Sequence, residues 1–128
     1  VFQIDTVKKY SDDYMVCIEE AKEELREKAR PELTAKVENM DQYDTIILGY
    51  PCWWGLPPMA VFTFLESYDF SGKKIVPFCS HEGSGMGGSI RQIKMAVPDA
   101  NITAGVAIHG ASAPNCDREV KLIITQAK

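Results

Sequence analysis

The sequence predicts a single doubly wound α/β domain. Three apolar runs, residues 44–49, 74–79 and 101–108, recur at intervals too long for hairpins, and helical patterns lie between them. Continuous apolar strands alternating with helices make a parallel sheet covered on both faces. The 128 residues suit one domain, large enough to bury a core without disulfides or a structural metal.

The chain opens on a short apolar piece, residues 1–4 (VFQI), which reads as the end of a strand. Ser11 and two aspartates then precede a pattern in which Tyr14, Ile18, Ala21, Leu25 and Ala29 share one helical face. Pro31 is the expected stop, and Arg26, Lys28 and Arg30 near the end suit the helix dipole. Residues 32–44 form a polar connector with room for one helical turn. The strand at 44–49 leads to a helix from near Pro57, with Val61, Phe62, Leu65 and Tyr68 inward. The strand at 74–79 leads to a helix from near Ser89, with Ile90, Ile93 and Val97 inward. The strand at 101–108 leads to a last helix over residues 114–127. No repeat or low-complexity segment interrupts this order, so residues 1–128 are one domain.

Composition narrows the function. Apolar residues make up 45% and charged residues 25%, with a net charge of −4 and no Lys/Arg cluster longer than a pair. That balance argues against nucleic acid, and no apolar run approaches the roughly 20 residues of a membrane span. Small molecules and proteins remain as partners. Cys17, Cys52, Cys79 and Cys116 are widely spaced and form no CxxC pair, which excludes a zinc ribbon or a thioredoxin-like motif and makes a reducing cytoplasm the expected compartment. No metal site is expected. No signal-peptide pattern opens the chain; it starts on Val1 within strand-like sequence, and an upstream portion of the domain is expected.

Ligands of doubly wound sheets bind beyond the carboxyl ends of the strands. Those turns are YPCWWGLPP (50–58), SHEGSGMGGS (80–89) and HGASAPN (109–115), which hold most of the Gly, Pro, Trp and His. Gly83, Gly85 and Gly88 match G-x-G-x-x-G after a strand. The next strand nevertheless ends in Ile108, His109 and Gly110, without the acidic residue that would hold a ribose, so a phosphate or nucleotide site at residues 83–88 is the weaker reading. His81 and Glu82 lack the second histidine of HExxH, and Ser84 lacks the preceding glycine of G-x-S-x-G. No catalytic side chain is assigned: His81 and His109 read as polar loop residues, Cys52 as a small loop residue and Cys79 as core. The paired Trp53 and Trp54 demand more. Aromatic surface on a turn fixed by Pro51 and Gly55 suits a planar ligand, since an offset stack gains about 0.5–1.5 kcal/mol beyond area burial.

The stretches YDTIILGYPCWWGLPP and KKIVPFCSHEGSGMGGS, continued through HGASA, resemble the flavodoxin-like FMN proteins of the short-chain bacterial type, over nearly the whole chain. The resemblance implies a flavodoxin-like doubly wound parallel sheet and FMN as cofactor. Pro51, Cys52, Trp53, Trp54 and Gly55 would then line the flavin ring, and Ser80, His81, Glu82, Gly83 and Ser84 would border its polar edge. It also implies a strand order of 2-1-3-4-5, in which residues 1–4 match the second strand. The first strand, first helix and their Ser/Thr-Gly phosphate turn would lie outside this sequence. The functional expectation is an FMN-binding electron-transfer protein or small oxidoreductase, working with a redox partner protein or a small-molecule electron acceptor. The alternative is a flavodoxin-like scaffold that binds FMN weakly or not at all and serves as a non-catalytic association module. The missing strand leaves a gap, to be closed by residues 1–4 moving against residues 44–49 or by a homodimer across the exposed edge.

Overall fold

The computed structural model describes residues 2–128 and is a three-layer α/β domain. In chain order the regular elements are α1 (Tyr14–Glu27), β1 (Thr45–Pro51), α2 (Met59–Glu66), β2 (Lys74–His81), α3 (Ser89–Ala96), β3 (Asn101–Ile102), β4 (Val106–His109) and α4 (Asp117–Ala127), with short 3-10 turns at Met40–Gln42 and Gly110–Asn115. All strand pairings are parallel. β2 is central, with β1 on one side and β3 and β4 on the other.

The alternation of side chains sorts the core into two layers. Leu48 and Tyr50 of β1 and Ile75 and Cys79 of β2 face α2 and α3 in the larger layer, where Phe62, Leu65 and Ile93 close against them. Val76, Val106 and Ile108 face the other way and meet Ile123 of α4. Phe78 belongs to this second face, and its ring lies over Gly49, where a Cβ would overlap it. Any larger residue at that point of β1 would force the Phe78 ring to move.

Several sequence expectations shift. Residues 2–4 are not a strand, and Val1 lies outside the described residues. Phe2 stacks on Phe64 with ring centroids 6.0 Å apart, and the nearest pairing is an isolated antiparallel bridge between Thr6 and Leu33. A strand needs a ladder partner, and a cavity of about 820 Å³ separates this segment from β1; Phe2–Thr6 line one side and all of β1 the other. Among the described residues the expected gap therefore stays open. α1 stops at Glu27, ahead of Pro31: Lys28 turns left-handed (φ 52°), and Ala29 N–H bonds back to the Glu24 carbonyl at 2.9 Å. Tyr14 is exposed and Ala29 falls beyond the helix. The buried stripe instead carries Ala21 and Glu24, the latter only 7% exposed. The run at 101–108 is broken, because Gly105 takes a positive φ and Gln126 fills the break. Its amide oxygen accepts from Thr103 Oγ1 (2.7 Å) and Gly105 N–H (3.0 Å), and its amide nitrogen donates to the Gly105 carbonyl (3.1 Å). The last helix begins at Asp117, with the 3-10 turn taking up residues 110–115.

Candidate functional site

β1 ends in Pro51, and the chain reverses over the next residues. Trp53 and Leu56 exchange both backbone hydrogen bonds, at 2.8 and 3.1 Å, while Trp54 (φ 55°) and Gly55 (φ 80°) both turn left-handed between them. Two left-handed central residues define a type I′ turn. Gly55 adopts this freely, but a tryptophan there is strained by about 1–2 kcal/mol. Local contacts hold it: the Trp54 indole N–H donates to the Ile18 carbonyl of α1 at 3.3 Å, and the Lys22 ammonium sits 5.4 Å from the ring centroid.

The Trp53 ring goes elsewhere. It meets Tyr10 edge to face, centroids 5.5 Å apart at 79°, and lines the cavity beside β1. Tyr10 donates to the buried Glu24 carboxylate at 2.7 Å, and Lys8 reaches the same carboxylate at 3.4 Å. Desolvation, reinforced by the hydrogen bond to Glu24, pushes the Tyr10 hydroxyl well above the usual phenol range. It stays a neutral donor that fixes the ring against Trp53.

The loop after β2 is fastened directly to this turn. Cys52 N–H donates to the Ser80 carbonyl (2.8 Å), Ser84 Oγ donates to Cys52 Sγ (3.3 Å), and Gly88 N–H donates to the Gly55 carbonyl (2.9 Å). Gly87 is obligatory here, because it is left-handed (φ 55°) and a Cβ on it would strike the Gly55 carbonyl. His81 Nδ1 accepts from Gly83 N–H at 2.9 Å, and His109 Nδ1 accepts from Ala111 N–H at 3.2 Å. Each ring, when neutral, therefore carries its proton on Nε2, and the two meet edge to face at 5.3 Å. Among the described residues, the N–H groups of Glu82 and Ser84 find no acceptor, and both residues are exposed. Ahead of α3, Gly87 N–H bonds to the Ser84 carbonyl, Gly88 N–H to the Gly55 carbonyl and Ser89 N–H to the Met86 carbonyl.

The expected site residues thus fall into one contiguous patch, residues 51–55 against residues 80–84, at the carboxyl end of the sheet. The two indoles diverge, so they do not form a single stacking surface; Trp53 and Tyr10 make one wall, and Trp54 is spent on α1. Tyr10 escaped the sequence reading because it sits in a polar stretch with no periodicity. Cys79 packs beneath the loop, 3.4 Å from the Gly85 carbonyl, and burial pushes its thiol up to about 11. Tyr50 and Ser89 lie close together under the same loop, yet neither hydroxyl finds a well-aligned partner; burial pushes the Tyr50 phenol up to about 12.

A family model described as flavodoxin matches residues 10–121. No curated protein matches the chain. Among solved structures, one from Bacteroides eggerthii, provisionally assigned as a flavoprotein, superposes with a TM-score of 0.77 at 28% identity, covering 97% of this chain and 76% of its own. A second, from Bacteroides uniformis and likewise provisionally assigned, gives a TM-score of 0.79 at 31% identity over 92% of this chain and 78% of its own. A flavoprotein from Lactobacillus acidophilus, crystallised in complex with FMN, gives 0.65 at 18% identity over 87% and 74%; at that identity the likeness is one of fold.

Proposed function

Since this chain belongs to the flavodoxin family, we propose that it binds FMN at the patch formed by residues 51–55 and 80–84 and works as an electron-transfer protein or small oxidoreductase. The observation that supports this reading best is the bonding of the tryptophan turn to the loop after β2, at the end of a parallel sheet where ligands are held. The relative crystallised with FMN supports the choice of flavin.

The residues fit a flavin ring in kind. Trp53, braced by Tyr10, offers a flat apolar face, and the unclaimed N–H groups of Glu82 and Ser84 can donate to the acceptor-rich edge of a planar heterocycle. His81, with Nδ1 occupied, has an Nε2–H to donate. The Cys52 sulfur already accepts from Ser84, so no covalent role is assigned to it. Bound FMN supplies the electron chemistry, and the chain's task is to bind the ring, orient it and shield one face. The electron partner is a redox protein or a small-molecule acceptor, in the cytoplasm.

Titration with FMN and with riboflavin, followed by quenching of flavin fluorescence, tests the reading. Trp53→Ala should weaken either ligand about tenfold or more, the equivalent of roughly 1.4 kcal/mol of stacking and burial. Unchanged affinity in a folded Trp53→Ala variant would overturn the stacking assignment.

A further inference from the structure

Both indoles of the tryptophan turn are held from one helix, by separate tethers. Trp54 is tied to α1 directly, at the Ile18 carbonyl and under the Lys22 ammonium. Trp53 reaches α1 only through a second ring: it meets Tyr10 edge to face, and the Tyr10 hydroxyl donates to Glu24. Among the described residues the Trp53 indole N–H finds no acceptor and Tyr10 is its one aromatic partner, so the direction of the Trp53 ring depends on where Tyr10 stands.

Regular structure does not place Tyr10, because residues 7–13 form neither helix nor strand. Side chains of α1 do so instead. Glu20 and Glu24, four residues apart, share one flank of the helix. Ser11 N–H donates to Glu20 at 2.9 Å, and the Tyr10 hydroxyl donates to Glu24 at 2.7 Å. Lys8 lies between the two carboxylates, 3.8 Å from Glu20 and 3.4 Å from Glu24, with its ammonium 5.3 Å from the centre of the Tyr10 ring. Glu24 is the buried member of this clip. A carboxylate taken out of water is costly unless donors meet it, and an ion pair so placed is weak evidence of added stability. What it supplies here is direction: its two oxygens fix where the Tyr10 hydroxyl and the Lys8 ammonium must lie.

We propose that Glu24 is a positioning residue of the flavin site, an inference that rests on the reading that FMN stacks on Trp53. The Glu24 carboxylate places Tyr10, and Tyr10 holds the Trp53 ring in the direction that receives the flavin. Glu24 acts through these two rings and not by contact with the ligand. Without the carboxylate the Tyr10 hydroxyl loses its acceptor, the ring leaves its fixed place against Trp53, and part of the binding free energy goes into ordering the wall when flavin arrives. A Glu24 that merely fastened residues 8–11 to α1 would affect stability in the same way whether or not Trp53 were present.

The test is a double-mutant cycle between Glu24→Ala and Trp53→Ala, read as FMN dissociation constants from flavin fluorescence. Glu24→Ala alone should weaken FMN about tenfold. In the Trp53→Ala background it should add less than about twofold, because the wall it positions is already gone. Glu24→Gln keeps an acceptor for the Tyr10 hydroxyl and should bind FMN within about threefold of the parent chain. Tyr10→Phe removes only that bond and should weaken FMN as Glu24→Ala does, which keeps the test valid where the alanine variant does not fold. Indole N–H signals in NMR spectra recorded without flavin give an independent readout. The Trp53 signal should shift in Glu24→Ala and Tyr10→Phe, while the Trp54 signal, tied to Ile18, moves little. Equal losses of FMN affinity from Glu24→Ala in both backgrounds would overturn the proposal, and so would a Trp53 signal that stays in place. If the parent chain ignores FMN, the flavin reading falls, and the indole signals alone decide whether Glu24 positions Trp53.

Discussion

Trp54 shows how a single residue can be held against its own preference. Its left-handed backbone is unfavourable by about 1–2 kcal/mol, and the compensation is a 3.3 Å bond to Ile18 and a cation over the ring. Two substitutions separate these effects. Trp54→Ala loses the contacts and keeps the strain, whereas Trp54→Gly loses the contacts and relieves it, so the glycine variant should be more stable by about 1 kcal/mol. Urea unfolding midpoints at equal slope measure the difference; alanine above glycine would show that the turn is not left-handed at this position. The sequence made the turn legible through Pro51 and Gly55. It did not make legible which indole faces the cavity, because backbone handedness at a non-glycine residue is decided by partners distant in the chain, here Ile18 and Lys22. The buried Glu24 was hidden for the same reason: an acidic residue reads as solvated until Tyr10 and Lys8 are placed beside it.

Elements were legible where periodicity was strong and less so where a polar side chain replaced a backbone partner. α2 and α3 begin close to where their apolar stripes put them, although Tyr68 and Val97 fall beyond the helix ends, and the β1–β2 ladder runs from Thr45 and Lys74 to Pro51 and Ser80, two residues and one residue past the predicted runs. The strand from 101 breaks because Gly105 has a positive φ and the Gln126 amide takes over the hydrogen bonding. No pattern within residues 101–108 announces a partner that arrives from the last helix. Gln126→Ala should leave the Gly105 N–H, its carbonyl and the Thr103 hydroxyl without their protein partner. The site is partly open to water, so the expected loss is about 1–2 kcal/mol in denaturant unfolding, with β3 and β4 amides exchanging faster in parallel. A Gln126→Ala protein of unchanged stability would mean that water replaces the amide without cost and that the break is held by Gly105 alone.

At the scale of the molecule, the sheet is anchored at its centre and loose at one side. Ile75, Val76 and Cys79 of β2 are fully buried, while β1 carries a buried and an exposed residue in alternation along Ile47–Leu48–Gly49–Tyr50. The asymmetry follows from coverage: α2 and α3 close one face over both strands, but α4 reaches over β2 and β4 and leaves the β1 side of the other face bare. Sequence reasoning anticipated a gap next to residues 44–49 that residues 1–4 or a second copy would close; among the described residues the gap stays open and residues 2–4 do not take strand form. Without a ladder partner in reach, Phe2 instead takes its stabilisation from stacking on Phe64. Backbone exchange in the isolated chain should therefore alternate along β1. The amides of Ile46, Leu48 and Tyr50 bond to β2 and open only with that pairing, whereas those of Thr45, Ile47 and Gly49 face the cavity and have only water to replace. A difference of about a hundredfold or more between the two sets is expected in native-state amide exchange read by NMR at single-residue resolution. Strands paired on both sides protect every residue, so uniform slow exchange along β1 in dilute monomer would show that the edge is covered from within the chain and that the open cavity does not persist in solution.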